Sequence, residues 1–102
     1  MKFTWDQAKS SSNKQKHGID FAQAKEVFDD KYAVVDHGKT KAGEERWLAI
    51  GRTLKLFLIT VVFVFRDASI RIISARQARK KEQRAYLEHA LKSQGDDSSD
   101  ES

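Results

Sequence analysis

The stretch Leu56-Phe57-Leu58-Ile59-Thr60-Val61-Val62-Phe63-Val64-Phe65 decides the fold. Successive side chains of a strand point to opposite faces, and here both the odd and the even positions are apolar. Such a strand must be covered on each side, so it is predicted to lie in the middle of a sheet. The whole apolar run, Leu54 to Phe65, includes Lys55 and is too short to span a bilayer.

The flanking segments supply its neighbours. Before it, Arg46, Leu48, Ile50 and Arg52 share one face of an alternating strand, with Trp47, Ala49 and Gly51 on the other. Gly51 reads as a point of close backbone approach or strand bending. After it, Arg66-Asp67-Ala68-Ser69 reads as a turn and Ile70 to Ala75 as the last strand. Tyr32 to Asp36 forms a further short strand, and Met1, Phe3 and Trp5 alternate as an edge strand. The short connections favour antiparallel pairing, because a parallel neighbour needs a long crossover.

Two helices follow the first strand. Thr4 or Asp6 caps the first, which ends near His17 with Gly18 as its left-handed residue. Asp20 caps the second, with Gln23 completing a capping box and Phe21, Ala24, Val27 and Phe28 as its apolar stripe. Ser74, with Gln77 three residues on, is predicted to cap a final helix reaching about Lys92. Its apolar stripe is thin, so most of it faces solvent or a partner. The fold class is therefore α+β: an antiparallel sheet with an N-terminal helical hairpin and a C-terminal helix, in the order β-α-α-β-β-β-β-α.

The 102 residues suit one domain, assigned to residues 1–92, with residues 93–102 as a disordered acidic tail. That tail holds four carboxylates and no Lys or Arg, leaving 19 basic against 11 acidic residues, a net of +8, in the body. A body so charged attracts polyanions, although Lys and Arg also simply confer solubility. Cysteine is absent, which excludes disulfides and thiolate chemistry. The N-terminus lacks the apolar core of a secretory signal, so a cytoplasmic protein is expected. His17, His37 and His89 have no metal-ligand spacing, and no Gly-rich phosphate loop is present. No metal and no cofactor are expected.

What remains is a set of arginines at strand ends: Arg52, Arg66 and Arg76. Arg52 and Arg76 lie on or beside two strands that could flank the central one and run the same way. They can share a rim, where two guanidiniums make a bidentate phosphate clamp. Each can equally pair with a local carboxylate. Lys16-His17 adds a proton carrier, or else merely complements the helix dipole. Glu82 can act as a base or orient an arginine, or form an ordinary helical pair with Arg79. Metal-free RNA cleavage by 2′-OH attack would use such groups: a base, cations for the phosphorane, and an acid.

Several motifs stand in a set order: Phe3-x-Trp5-Asp6, Asn13-x-x-Lys16-His17-Gly18-Ile19-x-Phe21-x-x-Ala24, Val27-Phe28-Asp29-Asp30, Glu45-Arg46-Trp47-x-Ala49-Ile50-Gly51-Arg52, and Arg71-Ile72-Ile73-Ser74-Ala75-Arg76, with Ala78, Glu82 and Tyr86 beyond. Together, over about residues 2 to 90, they resemble the BrnT toxins of bacterial type II toxin–antitoxin pairs. The resemblance implies a RelE-like ribonuclease fold and a growth-inhibiting RNase. Its partner would be a BrnA-type antitoxin, which carries the contacts to operator DNA in a hetero-oligomer. It implies a site at Lys16, His17, Arg52 and Arg76, with Glu82 a further candidate. Arg46, Arg66, Arg71, Arg79, Lys80 and Arg84 are candidate RNA contacts, and Tyr86 is a candidate for the site or for the core. The stretch Arg52-Thr53-Leu54-Lys55-Leu56 departs from the family in lacking a Gly- or Asp-containing turn. Two other readings stand beside this one: a non-catalytic basic module that binds nucleic acid or protein, and a purely structural partner domain.

Overall fold

The computed structural model describes residues 1–55 and 57–100. Leu56, the first residue of the expected central strand, and residues 101–102 of the expected tail lie outside these. The elements are β1 (Lys2–Thr4), α1 (Gln7–His17), α2 (Phe21–Lys25) running into a 3-10 turn (Glu26–Asp29), β2 (Val34–His37), β3 (Trp47–Arg52), β4 (Leu58–Arg66), β5 (Ser69–Gln77) and α3 (Lys80–Asp100). The five strands form one sheet in the order β1-β5-β4-β3-β2. The apolar run is thus the middle strand, as its two-sided pattern requires.

Each face of β4 has its own cover. On one side α1, α2 and the 3-10 turn bury Ile19, Phe21, Ala24 and Val27 against Ala49, Ile59, Val61, Phe63, Ile72 and Ala75. On the other, Ala78 and Tyr86 pack with Ile50, beside Tyr32, Val34, Leu58 and Ala90. Gly51 permits the close approach on the first face: a Cβ there would meet Val27 Cγ1 at 2.8 Å. Asn13 fastens α1 to the sheet, its amide donating to the Ile19 and Ala75 carbonyls at 2.7 and 2.8 Å and accepting from Ala75 N.

The local signals behave as their chemistry dictates. Asp6 caps α1 by accepting from Lys9 N, and Gly18 ends it at φ 74°. Asp20 and Gln23 close the capping box of α2.

Three expectations are corrected. The sheet is mixed, not wholly antiparallel, because β1 pairs parallel with β5, Phe3 opposite Ile70. Connection length constrains only strands that follow one another, and β1 and β5 are separated by most of the chain. Ser74 does not cap the final helix: it sits inside β5, opposite Val62. The strand continues to Gln77, so β5 runs beside the whole of β4, with a bulge between Val62 and Phe63. The helix begins at Lys80, where Glu82, its third residue, accepts from the Arg79 N–H at 2.8 Å. That is half of a capping box, five residues beyond the place the sequence rule selects. The helix runs to Asp100, past the end expected near Lys92.

Candidate active site

Cross-strand partners point to the same face of a sheet. Arg52 lies opposite Leu58, and Arg76 opposite Thr60 two residues further along β4. The two arginines therefore share one rim and one face, on strands flanking β4, about 10 Å apart across the sheet. This is the face covered by α3, and α3 brings polar groups to both.

Arg76 is held from two sides of its fork. Its NH1 and NH2 donate to Glu82 Oε1 and Oε2 at 2.7 and 3.0 Å, and its NH1 also donates to the Gln77 carbonyl at 3.3 Å. Glu82 Oε1 accepts in addition from Thr60 Oγ1 at 3.0 Å and from Arg79 N. The bonds from Arg76 outweigh partial burial and hold the Glu82 carboxyl down at about 2. Glu82 in turn raises the Arg76 pKa above its ordinary value. These bonds place Glu82 to orient the Arg76 guanidinium and to start the helix. The ordinary reading of Glu82 as partner of the Arg79 side chain is replaced by a bond to the Arg79 backbone.

Arg52 is held differently. Its Nε donates to Tyr86 Oη at 3.1 Å, and Tyr86 Oη donates to Asp30 Oδ2 at 2.7 Å. Asp30 also accepts from the backbone N–H of Arg52 at 2.8 Å and of Tyr32 at 2.9 Å. Burial pushes the Asp30 carboxyl up, but these bonds and the Arg52 charge carry it below the usual carboxylate range. Burial and the bond to Asp30 raise the Tyr86 phenol. The chain Asp30–Tyr86–Arg52 fixes the guanidinium through Nε, in a residue that is exposed overall.

His17 lies on the other face of the same rim. A cavity of about 220 Å³ there is lined by Lys14, His17, Gln23, Thr53, Phe57 and Gln77, among others. Lys16 is exposed on α1, and the lysines that line the cavity are Lys14 and Lys55. His17 is thus both the last residue of α1 and part of a pocket wall. The loop after Arg52 needs no glycine turn. Thr53 N donates to Phe57 O at 3.0 Å and Leu54 N to Glu26 Oε1 at 2.9 Å, which tie its backbone down.

The remaining candidates are elsewhere. Arg66 ends β4 at the opposite rim in a two-point pair with Glu44, at 3.1 Å for each bond. Bonding to Arg66 lowers the Glu44 carboxyl, aided by the charges of Arg46 and Arg71. Arg79, Lys80 and Arg84 are exposed along the first turns of α3. Sequence reasoning missed Asp30, Thr60, Lys14 and Glu44. Asp30 stood in the Val27-Phe28-Asp29-Asp30 motif, but nothing there showed that a backbone N–H 22 residues away needed it. Among the described residues no group of three or more His, Asp or Glu is placed to hold a metal ion.

The comparisons with known proteins give these contacts a setting. Residues 5–82 match the family model described as the ribonuclease toxin BrnT of type II toxin–antitoxin systems. The chain belongs to the BrnT family. Its fold is similar to the crystal structure of the Brucella abortus ribonuclease toxin BrnT, at 34% identity and a TM-score of 0.59. That match covers 78% of this chain and 99% of the Brucella protein. No curated protein matches. The family's span ends at Glu82, so it includes both arginines of the rim and the carboxylate that holds Arg76, while Tyr86 lies just beyond.

Proposed function

We propose that this BrnT-family chain is an endoribonuclease toxin that cleaves RNA without a metal ion, at the Arg52–Arg76 rim. Family membership supplies the class of activity, and the shared face of the two arginines is the observation that carries the assignment. The 2′-OH attacks the adjacent phosphorus, and the 5′-oxygen of the next nucleotide leaves. The negative charge that builds on the phosphoryl oxygens meets the tethered guanidinium of Arg52 and the oriented cation of Arg76. Guanidiniums here supply the positive charge that other nucleases draw from metal ions. His17, reached around the strand ends, carries the proton, with Lys16 beside it as an auxiliary cation. Glu82 fixes Arg76, and Tyr86 with Asp30 fixes Arg52.

The proposal extends to the wider system. Residues 1–92 form a RelE-like toxin domain that acts in the cytoplasm, where RNA cleavage inhibits translation and growth. A BrnA-type antitoxin neutralises it in a hetero-oligomer and contributes the DNA contacts. Arg46, Arg66, Arg71, Arg79, Lys80 and Arg84 guide RNA or antitoxin. Among the described residues no helix is long and apolar enough to cross a membrane.

The test is incubation of the purified chain with single-stranded RNA in excess EDTA. The expected products end in 2′,3′-cyclic phosphate, and intact RNA would overturn the proposal. One observation favours a second reading, a non-catalytic basic module: the fork of Arg76 is already occupied by Glu82. That reading predicts salt-sensitive RNA binding with no products in the same tube.

A further inference from the structure

Strand geometry at the rim sets up a division of labour that the phosphate chemistry does not use. Arg52 and Arg76 point to the α3 face, and Gln77, opposite Ile59, points to the α1 face. Thr53 and Gln77, each the next residue after one of the arginines, line the cavity beside His17. A nucleotide at this rim therefore has guanidiniums on one side of the strand ends and a pocket on the other.

We infer that this pocket is a nucleobase subsite, which receives the base of the nucleotide whose phosphate lies at the arginines. The inference rests on the proposed ribonuclease reading and adds what the enzyme selects. Three observations carry it. The cavity, about 220 Å³, is smaller than the roughly 300–1,000 Å³ of pockets that enclose a drug-sized molecule, which suits one ring system. Phe57 lines it and is 57% exposed, a large aromatic surface that the core does not use. Stacking on such a ring holds any base, because every base has a π face. Hydrogen-bonding groups are also present: the Gln77 amide, the Gln23 amide NH2, whose oxygen is taken by Asp20 N, and the Thr53 hydroxyl. Thr53 Oγ1 is buried without a hydrogen-bond partner in a residue only 9% exposed. A buried hydroxyl left unpaired is unfavourable, and rotation of the Thr53 side chain toward the cavity would let a base edge satisfy it. Phe57 thus supplies affinity, and Thr53 and Gln77 supply discrimination. Sites that hydrogen-bond a ligand reject analogues lacking the matching group far more strongly than apolar pockets do.

The experiment titrates the full chain with the four ribonucleoside 3′-monophosphates, and with ribose phosphate as a base-free control, following backbone amide shifts. The expected result is a preference of at least several-fold for one or two bases, with shifts at Thr53, Phe57 and Gln77 that ribose phosphate does not produce. In Thr53→Val the preference should collapse while ribose phosphate binds as before. In Phe57→Ala, an exposed position that leaves the core intact, all four nucleotides should weaken together. Equal shifts from ribose phosphate and every nucleotide would overturn the inference, as would an unchanged preference in Thr53→Val. The readout does not depend on cleavage. A chain that binds nucleotides with a Thr53-dependent preference but leaves RNA intact removes the ribonuclease reading and keeps the subsite. A chain that cleaves RNA with no preference at this position, in either form, does the reverse.

Discussion

The two rims of the sheet both carry arginines, and they hold them in opposite ways. At the α3 rim each guanidinium is built into a network: Arg76 with Glu82 and Thr60, Arg52 with Tyr86 and Asp30. The Arg76 and Glu82 side chains are only 24% and 14% exposed. At the opposite rim Arg66 meets Glu44 in the open, with side chains 49% and 38% exposed. Arg46 and Arg71 stand near that pair and make no side-chain hydrogen bond or ion pair among the described residues. Orientation fixed in advance is what transition-state stabilisation requires, because no energy is then spent arranging the cation at the moment of reaction. An exposed pair is held loosely and screened by salt. On the proposed reading, the same residue type serves positioning at one rim and general attraction at the other.

Substitutions can break this contrast, and the largest effect is expected at Arg76. Arg76→Ala should lower RNA cleavage by about 100-fold or more, the scale of removing one oriented charge donor. Arg66→Ala should change the same rate less than about threefold, since surface contacts contribute little. Parallel rate measurements on one RNA check both, and equal losses would erase the distinction between the rims.

Glu82→Gln tests the network by stability. A folded-state value of about 2 against 4.5 for the free side chain means that the unfolded chain binds the proton more tightly. The ionised carboxylate therefore contributes on the order of 3 kcal/mol above about pH 5, lost progressively as the pH falls from 4.5 toward 2. Denaturant titrations should show a drop of this order near pH 7 for Glu82→Gln. They should also show a shallower decline below pH 4.5 than in the unaltered chain.

Tyr86→Phe removes one hydroxyl that donates to Asp30 and accepts from Arg52. A loss of about 1–2 kcal/mol in stability is expected. Cleavage should fall by less than in Arg76→Ala, because Arg52 keeps its charge and loses only its tether. The smallest effect belongs to Glu44→Gln, which should leave thermal unfolding unchanged and raise RNA affinity slightly at low salt, because it releases Arg66. A melting curve and a salt titration of binding distinguish these outcomes.

Much of this architecture is legible in single residues. The two-sided apolar run places β4 in the centre, and the capping residues Asp6, Asp20 and Gln23 and the left-handed Gly18 bound the first two helices. Ser74 misled for a physical reason. Its spacing to Gln77 satisfies a capping box, but eight residue pairs of ladder with β4 outweigh one local cap. The parallel pairing of β1 escaped because it joins segments more than sixty residues apart, and local connection rules do not reach so far.

For the site, the sequence by itself determined the inventory and allowed the rim. Strands that could flank a central one and run the same way allowed Arg52 and Arg76 to share an end, and the pairing of β3 and β5 with β4 put them there. Tertiary structure alone decided what each side chain meets. Whether Glu82 binds Arg76 or Arg79, whether Tyr86 is core or tether, and on which side of the strand ends His17 lies all depend on how α1 and α3 dock. Docking joins residues such as Asp30 and Arg52, or Thr60 and Glu82, that are remote in the chain. Spacing encodes direction along one element, and only packing between elements fixes distance.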